Sequence, residues 1–159
     1  MPEKIFNSSI GIKLNLAGVV KEIFDFINVA PNRQYKVVIG TDSINSPTCS
    51  DFVTAVVVIR IGNGGRYFWR RIKKNSFKTL RDRIYEEMYL SLEIGQQLLK
   101  ILQEKQLPHF DLEIHADVGT NGATKNIINE VVGVIRGSGF VAKTKPESFG
   151  ASSVADHLL

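Results

Sequence analysis

The sequence has very little cysteine and histidine, the residues that form disulfides and zinc sites. Cys49 is the single cysteine among 159 residues, so the chain cannot form an intramolecular disulfide. The three histidines do not combine with it into the spacing of a zinc site. These absences favour a reducing compartment, and we expect a cytoplasmic protein.

Long apolar runs and several well-known motifs are also absent. No apolar run approaches the ~18 residues that a membrane span requires, and the first residues lack the apolar core of a signal peptide. The chain contains no P-loop, no nucleophile elbow and no GxGxxG element in the required context. We therefore expect a soluble protein without a membrane partner.

The composition that is present suits one compact domain. Apolar residues make up 43% of the chain, which is enough for a single core at this length. The formal charge is +4 and the sequence pI is about 9.2, a balance that favours an acidic partner such as nucleic acid.

Hydrophobic periodicity and breaker residues predict an α/β fold. The pattern predicts strands at residues 35–42, 52–61, 66–73, 110–117 and 140–145. It predicts helices at residues 16–28, 79–105, 127–135 and 151–159. We expect a mixed five-stranded sheet with helices on both faces, together with an N-terminal helix. In this division, residues 1–34 are an N-terminal extension and residues 35–159 are the main domain.

Four acidic residues fall at positions where they could meet. Asp42 and Asp117 each end a predicted strand, and ligands of open α/β sheets bind outside the carboxyl ends of parallel strands. On the long predicted helix, Glu87 lies at the rim of the apolar face, whereas Glu86 points away. Asp156 lies in the final predicted helix. The candidates are Asp42, Glu87, Asp117 and Asp156, with Glu86 in reserve.

Carboxylates that are brought together need a counter-charge, because each raises the pKa of its neighbours. Oxygen ligands favour Mg²⁺ or Mn²⁺ over zinc. Two such ions can activate a water and stabilise the leaving oxygen of a phosphodiester. The pattern therefore predicts a two-metal hydrolytic site. The alternative is that each aspartate is only a turn or helix-cap residue.

Residues 66–83 combine positive charge with aromatic side chains. They contain eight lysines or arginines and one acid, interleaved with Tyr67, Phe68, Trp69 and Phe77. This mixture is typical of surfaces that bind phosphates and stack on bases, although an edge strand protected by charge is the alternative. The predicted nucleic-acid-binding residues are Arg66, Trp69, Arg70, Arg71, Lys73, Lys74, Lys78, Lys143 and Lys145.

Five further side chains are accessory candidates. His115 lies two residues before Asp117, where it is either a buried structural residue or a support for a metal ligand. His157 is a candidate ligand or proton shuttle. Lys125 follows the GTNG segment at residues 119–122, which is interpreted mainly as a tight strand-to-helix connection. The full set is Ser43, Glu86, His115, Lys125 and His157.

Six segments of the chain form a distinctive combination. They are IGTDS, GGRYFWRR, RIYEEMYLSLE, EIHADVG with the following NGATK, VVGVIRGSGF and KPESFGASSVADH. Together they resemble the YkuK-like family of bacterial proteins. The resemblance extends from about residue 36 to residue 157. That family is grouped with the ribonuclease H-like fold, whose β-β-β-α-β-α-β-α order is also the order of the predicted elements.

The resemblance implies a metal-dependent nuclease acting on RNA, DNA or an RNA/DNA hybrid. Ribonuclease H-like nucleases carry carboxylates on the first strand, on the first core helix and at the end of the fourth strand, and a further ligand on the terminal helix. By position these are Asp42, Glu87, Asp117 and Asp156, with two Mg²⁺ or Mn²⁺ ions expected. The alternatives are a non-catalytic nucleic-acid-binding module of the same fold and a nucleotide-binding phosphotransfer domain.

Overall fold

A computed structural model describes residues 3–107 and 111–148 of the chain. These residues form one seven-stranded mixed sheet and three helices, which confirms the predicted α/β class. In chain order the elements are β1 (Ile5–Ser8), β2 (Lys13–Asn15), α1 (Leu16–Val29), β3 (Tyr35–Asn45), β4 (Cys49–Arg60), β5 (Gly65–Asn75), α2 (Leu80–Glu104), β6 (Leu112–His115), α3 (Ile128–Gly137) and β7 (Val141–Lys143).

The centre of the sheet is an antiparallel meander of β3, β4 and β5. Its strands are rich in valine and isoleucine, whose branched side chains favour extended backbone, and residues such as Val37, Val38 and Ile39 are fully buried. The tight turn between β4 and β5 uses Gly62 and Gly64, both with positive φ, a conformation that glycine adopts without strain.

The parallel strands β6 and β7 continue the sheet beside β3, on the side where the candidate carboxylates lie. The strand order is β2-β1-β5-β4-β3-β6-β7, and β6 runs parallel to both β3 and β7. Because β3 and β6 run in the same direction, their carboxyl ends lie at the same edge of the sheet. β3 extends to Asn45, so Asp42 lies inside the strand and does not end it as predicted. Gly40 pairs with His115, so Asp42 and Asp117, each two residues further along, lie near each other.

The number of strands is seven rather than the predicted five. The two additional strands, β1 and β2, form a short hairpin that closes through Gly11 at positive φ and pairs with the outer edge of β5. Runs of three or four residues are too short to show a period of two, so no strand is predicted there from the sequence. β7 is also shorter than predicted and ends at Lys143, so Lys145 lies beyond the strand.

The two faces of the sheet are packed differently. The helix face carries Val37, Ile39 and the other residues that share one core with all three helices. The second face is defined by a smaller cluster around Val38, Ala55 and Val57. No helix of residues 3–107 and 111–148 contributes to that second cluster, and the helix predicted at residues 151–159 lies outside the described residues.

No helix within the described ranges is both long and apolar enough to span a lipid bilayer.

A glycine inside α2 allows the helix to approach its neighbours closely. A Cβ added at Gly95 would lie 3.0 Å from the Phe140 ring and 3.4 Å from Ile114. We expect Gly95→Leu to lower the free energy of unfolding by about 1–3 kcal/mol, because Phe140 and Ile114 are buried and have little room to move. Urea denaturation measures this change.

The matched control for Gly95→Leu is Gly133→Ala in α3. A Cβ at Gly133 meets nothing within 4 Å, so alanine should raise stability by about 0.5–1 kcal/mol through its helix propensity. A stabilising effect of Gly95→Leu would contradict the close contact.

Candidate active site at the shared edge of β3 and β6

The end of β3 is fastened to α2 by side-chain hydroxyls. Alternation along the strand puts Thr41 and Ser43 on the helix face. The Thr41 hydroxyl lies 2.8 Å from the hydroxyls of both Thr54 on β4 and Ser91 on α2. The Ser43 hydroxyl donates to the Glu87 carboxylate over 3.0 Å. These bonds hold α2 in a fixed register against the strand that carries the first candidate carboxylate.

Glu87 is a buried acid whose proton is held unusually tightly. Only 6% of the residue is exposed, although it lies on a helix of mixed polarity. Burial, foremost, and then the negative charge of Asp42 raise the pKa of Glu87 to about 8. The Ser43 hydrogen bond and the Arg83 charge act in the opposite direction, and the Asp117 charge adds a smaller increase.

The helix turns Glu87 inward and Glu86 outward. Glu86 forms an ion pair with Lys74 of β5 at the protein surface. Arg83, one turn before Glu87, donates to the Ser43 backbone oxygen over 3.1 Å and to the Ser43 hydroxyl over 3.3 Å. Arg83, Ser43 and Glu87 therefore form one polar network between α2 and β3.

Asp117 follows the end of β6 and faces the same space as Glu87. Both residues line a small cavity beside Ile84, Met88 and Ala116. The Asp117 carboxylate forms an ion pair with Lys145, with the ammonium nitrogen 3.0 Å from Oδ1. A lysine predicted to contact nucleic acid thus neutralises one of the candidate carboxylates.

Asp42 lies between Thr41 and Ser43, so alternation along β3 puts it on the second face of the sheet. Its Oδ1 accepts a hydrogen bond from the Ser43 backbone N–H over 2.8 Å. Its charge nevertheless reaches Glu87, since it is the second cause of the raised pKa there. Asp42 and Glu87 therefore approach the sheet edge from opposite faces.

The donor set suits a hard divalent cation in its chemistry. Asp42, Glu87 and Asp117 offer only carboxylate oxygens, and their mutual repulsion is relieved when a cation is added. In the part of the chain that the structure describes, no three acidic, histidine or cysteine side chains are close enough together to hold a metal ion. The fourth candidate, Asp156, and the accessory candidate His157 lie outside the described residues.

Of the remaining accessory candidates, His115 lines the same small cavity as Glu87 and Asp117, whereas Lys125 lies in an exposed loop. His115 is buried on the second face, where its Nε2 lies 2.9 Å from the Glu113 carboxylate. The pKa of His115 is lowered, mainly because the side chain is buried. Lys125 is exposed in the loop before α3, which a hydrogen bond from the Gly119 N–H to the Thr124 hydroxyl closes.

Alternation along β5 divides the basic stretch between the two faces of the sheet. Arg66, Arg70 and Lys74 share the helix face with the buried Phe68, and Arg66 lies over the Phe26 ring at 4.9 Å. The other set, on the second face, consists of Tyr67, Trp69, Arg71 and Lys73.

The lysines outside β5 are distributed in the same way. Lys143 of β7 pairs in register with His115 and therefore lies on the second face. Lys78 is exposed in the connection between β5 and α2. The second face thus combines Asp42 with Trp69, Arg71, Lys73 and Lys143.

Two features of the site were not predicted from the sequence. Arg83 lies four residues before Glu87, so helical spacing could have indicated that both face the sheet. The ion pair between Lys145 and Asp117 has no such signal, because it depends on the path of the chain after β7.

Comparison with known proteins adds two findings. The family model described as Ribonuclease H-like matches residues 18–158. The chain is 29% identical over 160 residues to "Uncharacterized protein YkuK" of Bacillus subtilis (strain 168), a match that covers 92% of this chain and 91% of that protein. No solved structure gives a significant match.

Proposed function

The chain belongs to the ribonuclease H-like family, and from that premise we propose that it is a metal-dependent nuclease that hydrolyses phosphodiester bonds of RNA, DNA or an RNA/DNA hybrid. The observation that carries the proposal is Glu87, a buried carboxyl whose pKa is raised to about 8 beside Asp42 and Asp117. Bringing acidic side chains together at one end of the strands costs free energy, and a bound cation would offset that cost.

The residues proposed to hold two Mg²⁺ or Mn²⁺ ions are Asp42, Glu87, Asp117 and Asp156. When bound, these ions supply the activation of water and the stabilisation of the leaving oxygen that phosphodiester hydrolysis requires. The chain's own contribution is to orient the ligands. Ser43 donates to the Glu87 carboxylate and is itself held by Arg83, and the hydroxyls of Thr41 and Ser91 hold β3 against α2 beside it.

The proposed nucleic-acid-binding surface lies on the second face of the sheet and consists of Trp69, Arg71 and Lys73. Arg71 and Lys73 are exposed there on β5, and Trp69 on the same strand is partly exposed. Cationic side chains bind phosphates without regard to sequence, and an indole ring can stack on an unpaired base. Asp42 lies on this same face, so a nucleic-acid strand bound along this surface passes the first of the proposed metal ligands.

Cleavage assays test the proposed function directly. The purified protein is incubated with labelled RNA, DNA and hybrid substrates in Mn²⁺, in Mg²⁺ or in EDTA. We expect cleavage only with a divalent cation, and the substrate that is cut defines the nucleic-acid class. Binding that weakens with salt, without cleavage of any substrate, would instead support a non-catalytic binding module. The Lys145–Asp117 ion pair favours that second candidate, because it already neutralises one carboxylate.

Two double variants with equal charge loss separate the two faces of β5. We expect Arg71→Ala/Lys73→Ala to weaken nucleic-acid binding by about tenfold. The affinity should also depend less steeply on salt concentration, because about two phosphate contacts are lost. Arg66→Ala/Lys74→Ala should change affinity by less than about twofold, since those side chains lie on the helix face, away from the proposed surface. Fluorescence anisotropy at several salt concentrations measures both. Equal weakening by the two variants would contradict the proposed surface.

A further inference from the structure

The counter-charge of Asp117 comes from a residue of the same chain. The Lys145 ammonium lies 3.0 Å from the Asp117 carboxylate. The side chains are 56% and 35% exposed, so water reaches the pair and the lysine can leave without burying an unpaired charge. The ion pair between Lys145 and Asp117 can therefore break in solution.

Lys145 is held beside Asp117 by two contacts besides the ion pair. Its backbone N–H donates to the Val118 carbonyl over 2.8 Å, which ties the segment after β7 to the segment after β6. Its aliphatic stem runs along Gly119, where an added Cβ would lie 3.3 Å from the Lys145 Cβ. The glycine thus leaves room for the lysine stem, and the ammonium is directed to the carboxylate.

A divalent cation on Asp117 would meet this ammonium at close range. Like charges that share one carboxylate repel each other, and the carboxylate cannot bind both at full strength. We propose, as a consequence that rests on the metal-dependent function proposed above, that Lys145 competes with the divalent cation for Asp117 and so limits the affinity of the site for metal. Lys145 is then a positioning residue that keeps the carboxylate neutralised until metal is bound.

Metal titration without nucleic acid tests this competition. Isothermal titration calorimetry with MnCl₂ compares the wild type with Lys145→Met, which keeps the aliphatic stem, and with Lys145→Arg, which keeps the charge. We expect Lys145→Met to bind Mn²⁺ about three- to twentyfold more tightly, and Lys145→Arg to stay within about twofold of the wild type. The difference should shrink at about 1 M monovalent salt, where exposed charges are screened.

Two control variants make the result specific. Lys13→Met removes the same charge from an exposed lysine of β2, the outermost strand on the opposite side of the sheet from β7, and should leave the Mn²⁺ affinity within about twofold. Asp117→Asn should weaken Mn²⁺ binding at least about tenfold, as expected for the loss of a ligand.

The outcomes separate this inference from the proposed function. Wild-type Mn²⁺ binding that depends on Asp117 but is not tightened by Lys145→Met would overturn the competition and leave the nuclease proposal standing. Equal tightening by Lys13→Met would also overturn it, because the effect would then be one of net charge. Absence of Mn²⁺ binding in every variant would overturn both proposals.

Discussion

Asp42→Asn is expected to reduce metal-dependent cleavage by about a thousandfold or more while leaving the protein folded. The loss corresponds to about 4 kcal/mol of transition-state stabilisation, which a missing metal ligand explains. Asparagine has the size of aspartate and keeps an oxygen that can accept the Ser43 N–H, so the strand end should be unchanged. Single-turnover cleavage measures the rate, and circular dichroism checks the fold.

The matched control for Asp42→Asn is Asp111→Asn. Asp111 immediately precedes β6, is exposed and lies at the opposite edge of the sheet, where its backbone carbonyl accepts from the Val37 N–H. This variant should cleave at the wild-type rate. A folded Asp42→Asn protein with normal cleavage would remove Asp42 from the proposed metal site.

Glu87→Gln is expected to raise the free energy of unfolding at neutral and alkaline pH when metal is absent. In the folded protein Glu87 keeps its proton until about pH 8, whereas an ordinary glutamate loses it near pH 4.5. Between these values the wild type must take up a proton on folding, so its stability falls as pH rises. Glutamine never has to be protonated, and its amide oxygen can still accept the Ser43 hydroxyl.

The pH dependence gives this stability prediction its sign. At pH 4 both states of the wild type hold the proton, and the variant should be about as stable as the wild type. At pH 8 the variant should be more stable by on the order of 3–5 kcal/mol. Urea denaturation in EDTA at several pH values measures the difference. A difference that does not change with pH would contradict the raised pKa of Glu87.

Glu86→Gln is the matched control on the same helix. Glu86 is paired with Lys74 at the surface, and exposed ion pairs contribute less than about 1 kcal/mol. We therefore expect little change in stability at any pH. Cleavage should also separate the two variants, because only Glu87 is proposed to hold metal.

The long elements of this fold are predictable because each repeats its pattern several times. Leu16–Val29 and Leu80–Glu104 show helical periodicity over three or more turns, and β3 to β5 are long runs of residues that favour strands. The hairpin β1–β2 is different. Its few residues form strands because β5 offers an edge on which to pair, which is tertiary information.

The candidate site follows the same division. The meeting of Asp42 and Asp117 at one sheet edge follows from strand order, and the inward direction of Glu87 follows from helical spacing. The basic residues of β5 alternate between the two faces of the sheet, and this alternation can be read from the sequence. A prediction from composition alone does not distinguish the two faces and assigns all of these residues to one surface. The Lys145–Asp117 contact depends on how two loops approach each other, which no local pattern contains.

The pairing of β6 with β3 also determines when, during folding, Asp117 comes close to Asp42 and Glu87. The meander of β3, β4 and β5 forms between neighbours in sequence, whereas Val37 must find Leu112 across the whole of α2. Closing so long a loop is slow compared with forming a hairpin. The charge of Asp117 therefore joins those of Asp42 and Glu87 only once β6 has docked, so its share of the repulsion opposes a later stage of assembly and leaves the formation of the meander unaffected.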